Sequence, residues 1–449
     1  MRDNDNTTSA TSPDPTPKPP MQTAPSPLLD GQTKGMPAGF GATDPAQVGS
    51  RGWNVLAEDL PLPLAILKDS ALRHNSAWMR AFREMTGVAI APHGKTSMSP
   101  QLFARQLADG AWGVSVATVQ QLRVCRAHGI GRVLLANQLV GRQSIAYVLD
   151  ELARDPQFDF LALVDSMASV QALAAAAGRR NPGRPLMVLV ECGFEGGRTG
   201  CRSIGEAMAV ARAVAAARPK LGLAGVEGYE GAVPATSPAQ QDERIRDFVE
   251  FMASVAAAAS DEGLIDADPV ILTAGGSAWF DLVTALPRRL KGRETLVVIR
   301  SGCYLTHDSD AYARAATRMR ERTPRIESLG PGLRDALEVW SYVQSLPEPG
   351  MAILTMGKRD VSHDLHLPFA RLVVRSGIDS VPVRLPEGCE ITALNDQHAF
   401  MRVPAGAALR IGDMIGCAIS HPCTTFDKWR FMPIVDDDYN VIDAITTSF

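Results

Sequence analysis

The stretch Val88-Ala89-Ile90-Ala91-Pro92-His93-Gly94-Lys95-Thr96 joins a short apolar run to a turn that carries a lysine. A run of this length bounded by turn residues reads as a buried strand rather than a helix. The lysine then falls at the strand's C-terminal end, the side on which (β/α)8 barrels hold their reacting groups. Seven further runs follow it: Gly113–Ala117, Arg132–Ala136, Phe158–Val164, Leu186–Glu191, Leu221–Glu227, Val270–Thr273 and Leu296–Arg300. Most are separated by stretches long enough for a helix. Between Val116 and Gly129, for example, Val119, Leu122 and Cys125 recur at helical spacing and Gly129 supplies a left-handed stop. Eight βα units predict an α/β fold, a TIM-type barrel over residues 60–330, with an open doubly wound sheet as the competing arrangement.

Beyond residue 330 the texture changes. The runs Ala370–Arg375, Val381–Leu385, Cys389–Leu394, Ala399–Val403 and Met414–Ile419 are bounded by Gly, Pro, Asp and Asn, and predict an antiparallel β domain over 331–449. At the other end, residues 1–50 are rich in Pro, Ser, Thr, Gly and Asp and poor in β-branched apolar residues, which predicts a disordered arm.

Composition narrows the function. The chain has 449 residues, 45% of them hydrophobic and 21% charged, and a formal net charge of −4 without basic clusters. No electrostatic footprint for nucleic acid or membrane is present, so a small molecule is the expected partner. Seven cysteines, at 125, 192, 201, 303, 389, 417 and 423, are odd in number and lie in or beside apolar runs, which fits a reducing cytoplasm rather than a disulfide scaffold. No apolar run approaches the length of a membrane span, and the alanine-rich segments at 171–177 and 254–259 read as helix.

Four motifs could carry chemistry. Lys95 at a barrel mouth could form a Schiff base with an aldehyde cofactor and act as a base; its bland reading is a surface lysine after a turn. Gly275-Gly276-Ser277 after the seventh run and Ser301-Gly302-Cys303-Tyr304 after the eighth stand where barrels bind phosphate, although each glycine pair alone is also an ordinary turn. Arg198, in Glu191 to Gly200, could face a cofactor ring or a carboxylate, and Tyr229, in Gly228-Tyr229-Glu230-Gly231, could pack against the ring; the alternative is a glycine-rich loop with a solvated arginine. His421 and Cys423, read as an extended i, i+2 pair, could grip one metal ion, with zinc favoured by the nitrogen and soft sulfur donors. A buried cysteine beside an unrelated histidine is the alternative. His363 and His366 read as ordinary polar positions, and His398 as a supporting group for the metal.

The ordered set Pro92-His93-Gly94-Lys95-Thr96, Gly193 to Gly200, Gly228-Tyr229-Glu230-Gly231, Gly275-Gly276-Ser277, Ser301-Gly302-Cys303-Tyr304, Gly357-Lys358-Arg359-Asp360 and His421-Pro422-Cys423 resembles the fold-type III pyridoxal-phosphate enzymes. The resemblance spans roughly residues 60–430 and is to the D-serine dehydratase and D-threonine aldolase branch. It implies a cofactor-bearing barrel, a C-terminal β domain, and usually a homodimer acting on D-amino acids. By position it implies Lys95 as the Schiff-base lysine and Arg198 and Tyr229 near the cofactor ring. Gly275, Gly276, Ser277, Gly302, Cys303 and Tyr304 would surround the phosphate, and His421 and Cys423 would ligate a divalent metal, zinc by preference. Many members read His-Val-Lys-Thr-His at the first motif, whereas here Gly94 replaces the valine and Ser97-Met98 the second histidine and its neighbour. Within the branch a cysteine as second metal ligand goes with dehydratases and an aspartate with aldolases, so Cys423 implies deamination of D-serine or D-threonine to 2-oxo acids. A retro-aldol enzyme is the nearest alternative, followed by a non-catalytic cofactor carrier and an amino-acid racemase.

Overall fold

The computed structural model describes residues 27–379 and 381–449. Among these, strand β1 (Leu64–Lys68) precedes the eight parallel strands of the barrel: β2 (Ala89–Ile90), β3 (Val114–Val116), β4 (Arg132–Gln138), β5 (Asp159–Val164), β6 (Leu186–Cys192), β7 (Leu221–Gly228), β8 (Val270–Ala274) and β10 (Arg293–Ile299). A two-residue strand, β9 (Arg289–Leu290), pairs antiparallel with β10. The barrel strands run in the order β2-β10-β8-β7-β6-β5-β4-β3. The two ends of this sheet then meet, because the Trp112 N–H donates to the Ile90 carbonyl (2.7 Å) and the Ser115 N–H to the Pro92 carbonyl (3.0 Å). All eight runs expected from the sequence are therefore strands of one curled sheet.

Local chemistry explains why strands and helices alternate so regularly. Ser99, Thr118, Ser166, Ser203 and Ser237 each precede a helix and accept a backbone N–H of its first turn, satisfying a donor that has no partner within the helix. Gly129 follows the helix Val119–Ala127 at φ 72°, the left-handed stop expected from the sequence. The alanine-rich segments lie in the helices Met167–Arg180 and Pro238–Asp261. Inside the barrel, Ala91, Leu134, Leu161, Leu163, Leu189, Ala224, Ile271 and Val298 form their own apolar cluster, so the barrel centre is packed and the open volume lies at the strand ends. No helix among the described residues is long and apolar enough to cross a membrane.

The second sheet contains β11 (Leu337–Ser345), β12 (Met351–Leu354), β13 (Phe369–Val374), β14 (Val383–Arg384), β15 (Glu390–Leu394), β16 (Ala399–Arg402), β17 (Met414–Ala418), β18 (Phe431–Val435) and β19 (Val441–Thr446). Its main path is β14-β13-β17-β11-β1-β18-β19, with β12, β16 and β15 extending from β11. Strand β1 lies inside this sheet, antiparallel to β11 and parallel to β18, although in the chain it comes before the whole barrel. Its run Leu64-Ala65-Ile66-Leu67 is fully buried, and such a run carries no mark of which sheet it joins.

Residues 27–50 depart from the expected disordered arm; residues 1–26 lie outside the described residues. Leu29 and Thr43 exchange backbone hydrogen bonds of 2.8 and 2.7 Å, and Pro45–Arg51 forms a 3-10 helix capped by Asp44. Leu29, Met36 and Val48 are buried. Lys34 pairs with the buried Asp360 at 2.6 Å and lies 3.6 Å above the Trp429 ring. A few well-placed apolar side chains and one ion pair thus order a stretch whose average composition argued against order.

Candidate active site

A cavity of about 380 Å3 opens where the C-terminal ends of the barrel strands meet the β domain. Lys95 reaches it from the short 3-10 turn Gly94–Thr96 that follows β2. That turn is held in place: the Lys95 N–H points to His93 Nδ1 (3.4 Å), and Ser115 Oγ donates to the Ala91 carbonyl (2.7 Å). His93 is half-buried beside Lys95, Arg300 and Arg198. Burial first and those cations second hold its imidazole well below the usual range, so it is neutral.

The two glycine loops line the same cavity. Gly275 has φ 125°, a conformation open to glycine. Ser301 Oγ donates to the Gly276 carbonyl (2.9 Å), and the Cys303 N–H approaches Ser277 Oγ (3.4 Å). The Gly276 N–H donates to Glu230 Oε1 (2.7 Å), whose carboxyl is raised by burial. Gly302 is pressed against the lysine turn: a Cβ there would stand 2.5 Å from the His93 carbonyl oxygen and 2.7 Å from Thr96 Oγ1. Tyr304 differs from its expected role, because its phenol stands behind the loop beside Gln106 and does not line the cavity. Side chains alternate about a turn, and Cys303 takes the inward place.

The same cavity has a polar wall in which Arg198 and Tyr229 were expected and Arg300 and Glu227 were not. Arg300 and Glu227 form a buried ion pair, with Arg300 also donating to the Gly228 carbonyl (3.0 Å) and Thr273 Oγ1 (3.1 Å). Burial pushes the Glu227 carboxyl up to about 8 against the pull of Arg300. Glu191 accepts from Thr199 Oγ1 (2.6 Å) and from Gln138 Nε2. The Arg198 guanidinium sits 4.6 Å from the centre of the Tyr229 ring, so these two residues form one stacked wall. Glu227 and Arg300 end strands β7 and the eighth barrel strand, a position that could have marked them. Tyr312 had no such signal: it enters from the helix Ala311–Arg322 and touches the Cys303 thiol.

His421 and Cys423 come from the β domain and line this cavity. The segment is not extended as expected, since Cys423 opens the short helix Cys423–Phe426 and Pro422 is already helical. The turn, rather than strand alternation, brings the two side chains to one cavity. Asp364 Oδ2 lies 2.6 Å from His421 Nδ1, and its other oxygen, Oδ1, accepts from Thr424 Oγ1 (2.6 Å). With Nδ1 engaged, Nε2 is the nitrogen available to a metal. Cys423 Sγ is 3.5 Å from Thr96 Oγ1 and 3.8 Å from Cys303 Sγ. The sulfur contact holds the Cys303 thiol down at about 6 and raises Cys423 well above the ordinary range. Among the described residues no three His, Cys, Asp or Glu side chains are gathered closely enough to enclose a metal. His366 pairs with Asp310, and His398 is exposed in the β15–β16 turn, so Asp364 rather than His398 supports His421.

Comparison with known proteins places these features in a wider group. Residues 68–276 match the alanine racemase N-terminal domain, and residues 336–435 match the putative serine dehydratase domain. The chain is 27% identical over 402 residues to a D-threonine aldolase of Arthrobacter sp., covering 89% of this chain and 94% of that protein. Over 141 residues it is 31% identical to a D-threo-3-hydroxyaspartate dehydratase of Delftia sp. (strain HT23), covering 31% of this chain and 36% of that protein. A solved D-threonine aldolase from Filomicrobium marinum superposes with a TM-score of 0.70 at 23% identity, covering 88% of this chain and 97% of that one.

Proposed function

The chain belongs to the fold-type III pyridoxal-phosphate enzymes, an alanine-racemase-type barrel joined to a serine-dehydratase-type domain, and we propose that it is a metal-dependent dehydratase that deaminates D-3-hydroxy amino acids. Pyridoxal phosphate, when bound, supplies an electron sink at the substrate's α-carbon, and a divalent metal supplies a Lewis acid at its β-oxygen. The residues present fit both groups. A single amine, Lys95, lines the cavity beside two glycine loops, one of which packs so closely on the lysine turn that a Cβ at Gly302 would meet the His93 carbonyl. The donors at His421 and Cys423 are a nitrogen and a soft sulfur, the set that suits zinc.

Lys95 holds the cofactor and removes the α-proton. Gly275, Gly276, Ser277, Gly302 and the Cys303 backbone would hold the phosphate, and the stacked Arg198 and Tyr229 would bound the ring. Neutral His93 adds no positive charge beside the lysine. His421 and Cys423 would hold the metal, with Asp364 fixing the imidazole tautomer. The observation that carries this reading is the 3.5 Å between Cys423 Sγ and Thr96 Oγ1. It sets Cys423 against the residue that follows Lys95 in the chain, on the cavity that Lys95 and His421 also line, so the α-proton and the β-oxygen of one small substrate can be handled together.

D-threonine tests the reaction. Elimination yields 2-oxobutanoate and ammonia, whereas retro-aldol cleavage yields glycine and acetaldehyde. Cys423 supports elimination, because cleavage needs a base for the hydroxyl proton and no carboxylate occupies the second ligand position. The aldolase reading has its own support in the Arthrobacter relative, which matches over nearly its full length. We expect 2-oxobutanoate as the main product, and loss of at least a thousandfold in turnover in Lys95→Ala; glycine as the dominant product would favour the aldolase. Borohydride reduction of the wild-type protein should leave a pyridoxyl label on the Lys95 peptide, independently of turnover.

A further inference from the structure

The metal site proposed above rests on two ligands, and a third donor stands beside them. We propose that Cys303 is a ligand of the same metal, so that Cys303, Cys423 and His421 form a Cys2His set with its fourth position open to the cavity. This rests on the reading of His421 and Cys423 as ligands, and it adds a residue whose side chain that reading leaves without a task.

Three observations support it. Two thiolates about 2.3 Å from a tetrahedral zinc stand ~3.8 Å apart, and Cys303 Sγ and Cys423 Sγ are 3.8 Å apart. The same distance is far beyond the roughly 2.0 Å of a disulfide. Next, Cys303 is buried but not packed as a hydrophobe: Thr96 Oγ1 lies 3.6 Å from its sulfur, and Tyr312 and Cys423 complete a polar pocket. Finally, His421 is turned and tethered by Asp364, an arrangement of carboxylate and imidazole that leaves one nitrogen for a metal. His421 lines the same cavity without closing on the two sulfurs, so a metal held by all three would require the imidazole to swing toward them.

The charge balance has a consequence. Two thiolates and a neutral imidazole exactly offset a divalent ion, whereas one thiolate leaves a net positive site. The three-ligand site holds its metal more firmly and keeps one position for the substrate oxygen, the pattern of catalytic rather than structural zinc.

Cobalt substitution of the full-length protein reads the number of thiolates directly, through thiolate-to-cobalt absorption in the near ultraviolet. The expected result is a band in the wild-type protein that falls by about half in Cys303→Ser and by about half in Cys423→Ser. An undiminished band in Cys303→Ser, with the band lost in Cys423→Ser, overturns the third ligand and leaves His421 and Cys423 standing. Absence of any thiolate band in the wild-type protein overturns both. X-ray absorption at the zinc edge of the unmutated, zinc-loaded protein needs no variant to fold: two sulfur neighbours at about 2.3 Å support the proposal, and one sulfur refutes it.

Discussion

Gly302 and His307, five residues apart after the eighth barrel strand, show how single positions set binding and pH dependence. The path at Gly302 is set by contact with the lysine turn, since an added Cβ would meet the His93 carbonyl at 2.5 Å. One of two backbones must then move, at a cost of about 1–3 kcal/mol. We expect Gly302→Ala to fold, yet to bind pyridoxal phosphate at least tenfold more weakly in a fluorescence titration. An unchanged affinity would mean that the loop has slack.

His307 is buried, and burial lowers its imidazole to about 4, below the ordinary 6.5. The unfolded chain therefore binds a proton between those values that the folded chain refuses. Its contribution to stability is complete above pH 6.5 and disappears as the pH falls through 4, in total on the order of 3 kcal/mol. Its backbone has φ 49° and donates to the Cys303 carbonyl at 2.7 Å, a conformation that asparagine tolerates. His307→Asn should flatten the dependence of unfolding free energy on pH between 6.5 and 4. Equal slopes in the two proteins would remove His307 from the acid response.

At the scale of elements, the segment before β1 acts as a clasp on the β domain. Lys34 is the cation paired with buried Asp360, and it covers Trp429. Removing Lys34 leaves the buried Asp360 carboxylate with the Gly357 N–H alone, a loss of about 1–3 kcal/mol for a pair whose cation is partly exposed. Lys34→Met keeps the aliphatic stem over the tryptophan and strips the charge. We expect a lower denaturant midpoint for Lys34→Met and recovery of most of the loss in the double variant with Asp360→Asn. A single variant as stable as wild type would show that the pair adds nothing. Deleting residues 27–51 should cost more than either substitution, because Leu29, Met36 and Val48 lose their burial as well.

For the whole molecule, the decisive fact is that the chain order and the domain order disagree. Strand β1 precedes the barrel in the chain yet is hydrogen bonded to β11 and β18, which follow the barrel. A fragment ending at residue 330 would expose Leu64, Ala65, Ile66 and Leu67, which are fully buried in the intact protein, at a cost of roughly 6 kcal/mol. We expect that fragment to be insoluble or to bind a hydrophobic dye, while the full chain gives one calorimetric transition. A soluble, cooperatively folding 1–330 fragment would contradict this. The candidate site has the same dependence, since Lys95 and the two glycine loops come from the barrel and His421 and Cys423 from the β domain.

The sequence by itself determined what depends on near neighbours. Strand spacing, the Ser and Thr helix caps and Gly129 are local signals, so all eight barrel strands were legible. Lys95 and the loops at Gly275 and Gly302 were legible because a barrel puts every strand end on one face. Only the tertiary structure decided what depends on distant pairing. Leu64–Lys68 reads like any buried strand, and its sheet is chosen by partners more than 250 residues away. Whether residues 27–50 fold is decided by Asp360 and Trp429, which no composition of that stretch contains. Arg300 and Glu227 each read as the end of a strand, and only the curl of the sheet makes them an ion pair. Cys303 and Cys423, 120 positions apart in the chain, became neighbours through the packing of the β domain over the barrel mouth, where short-range signals have nothing to say.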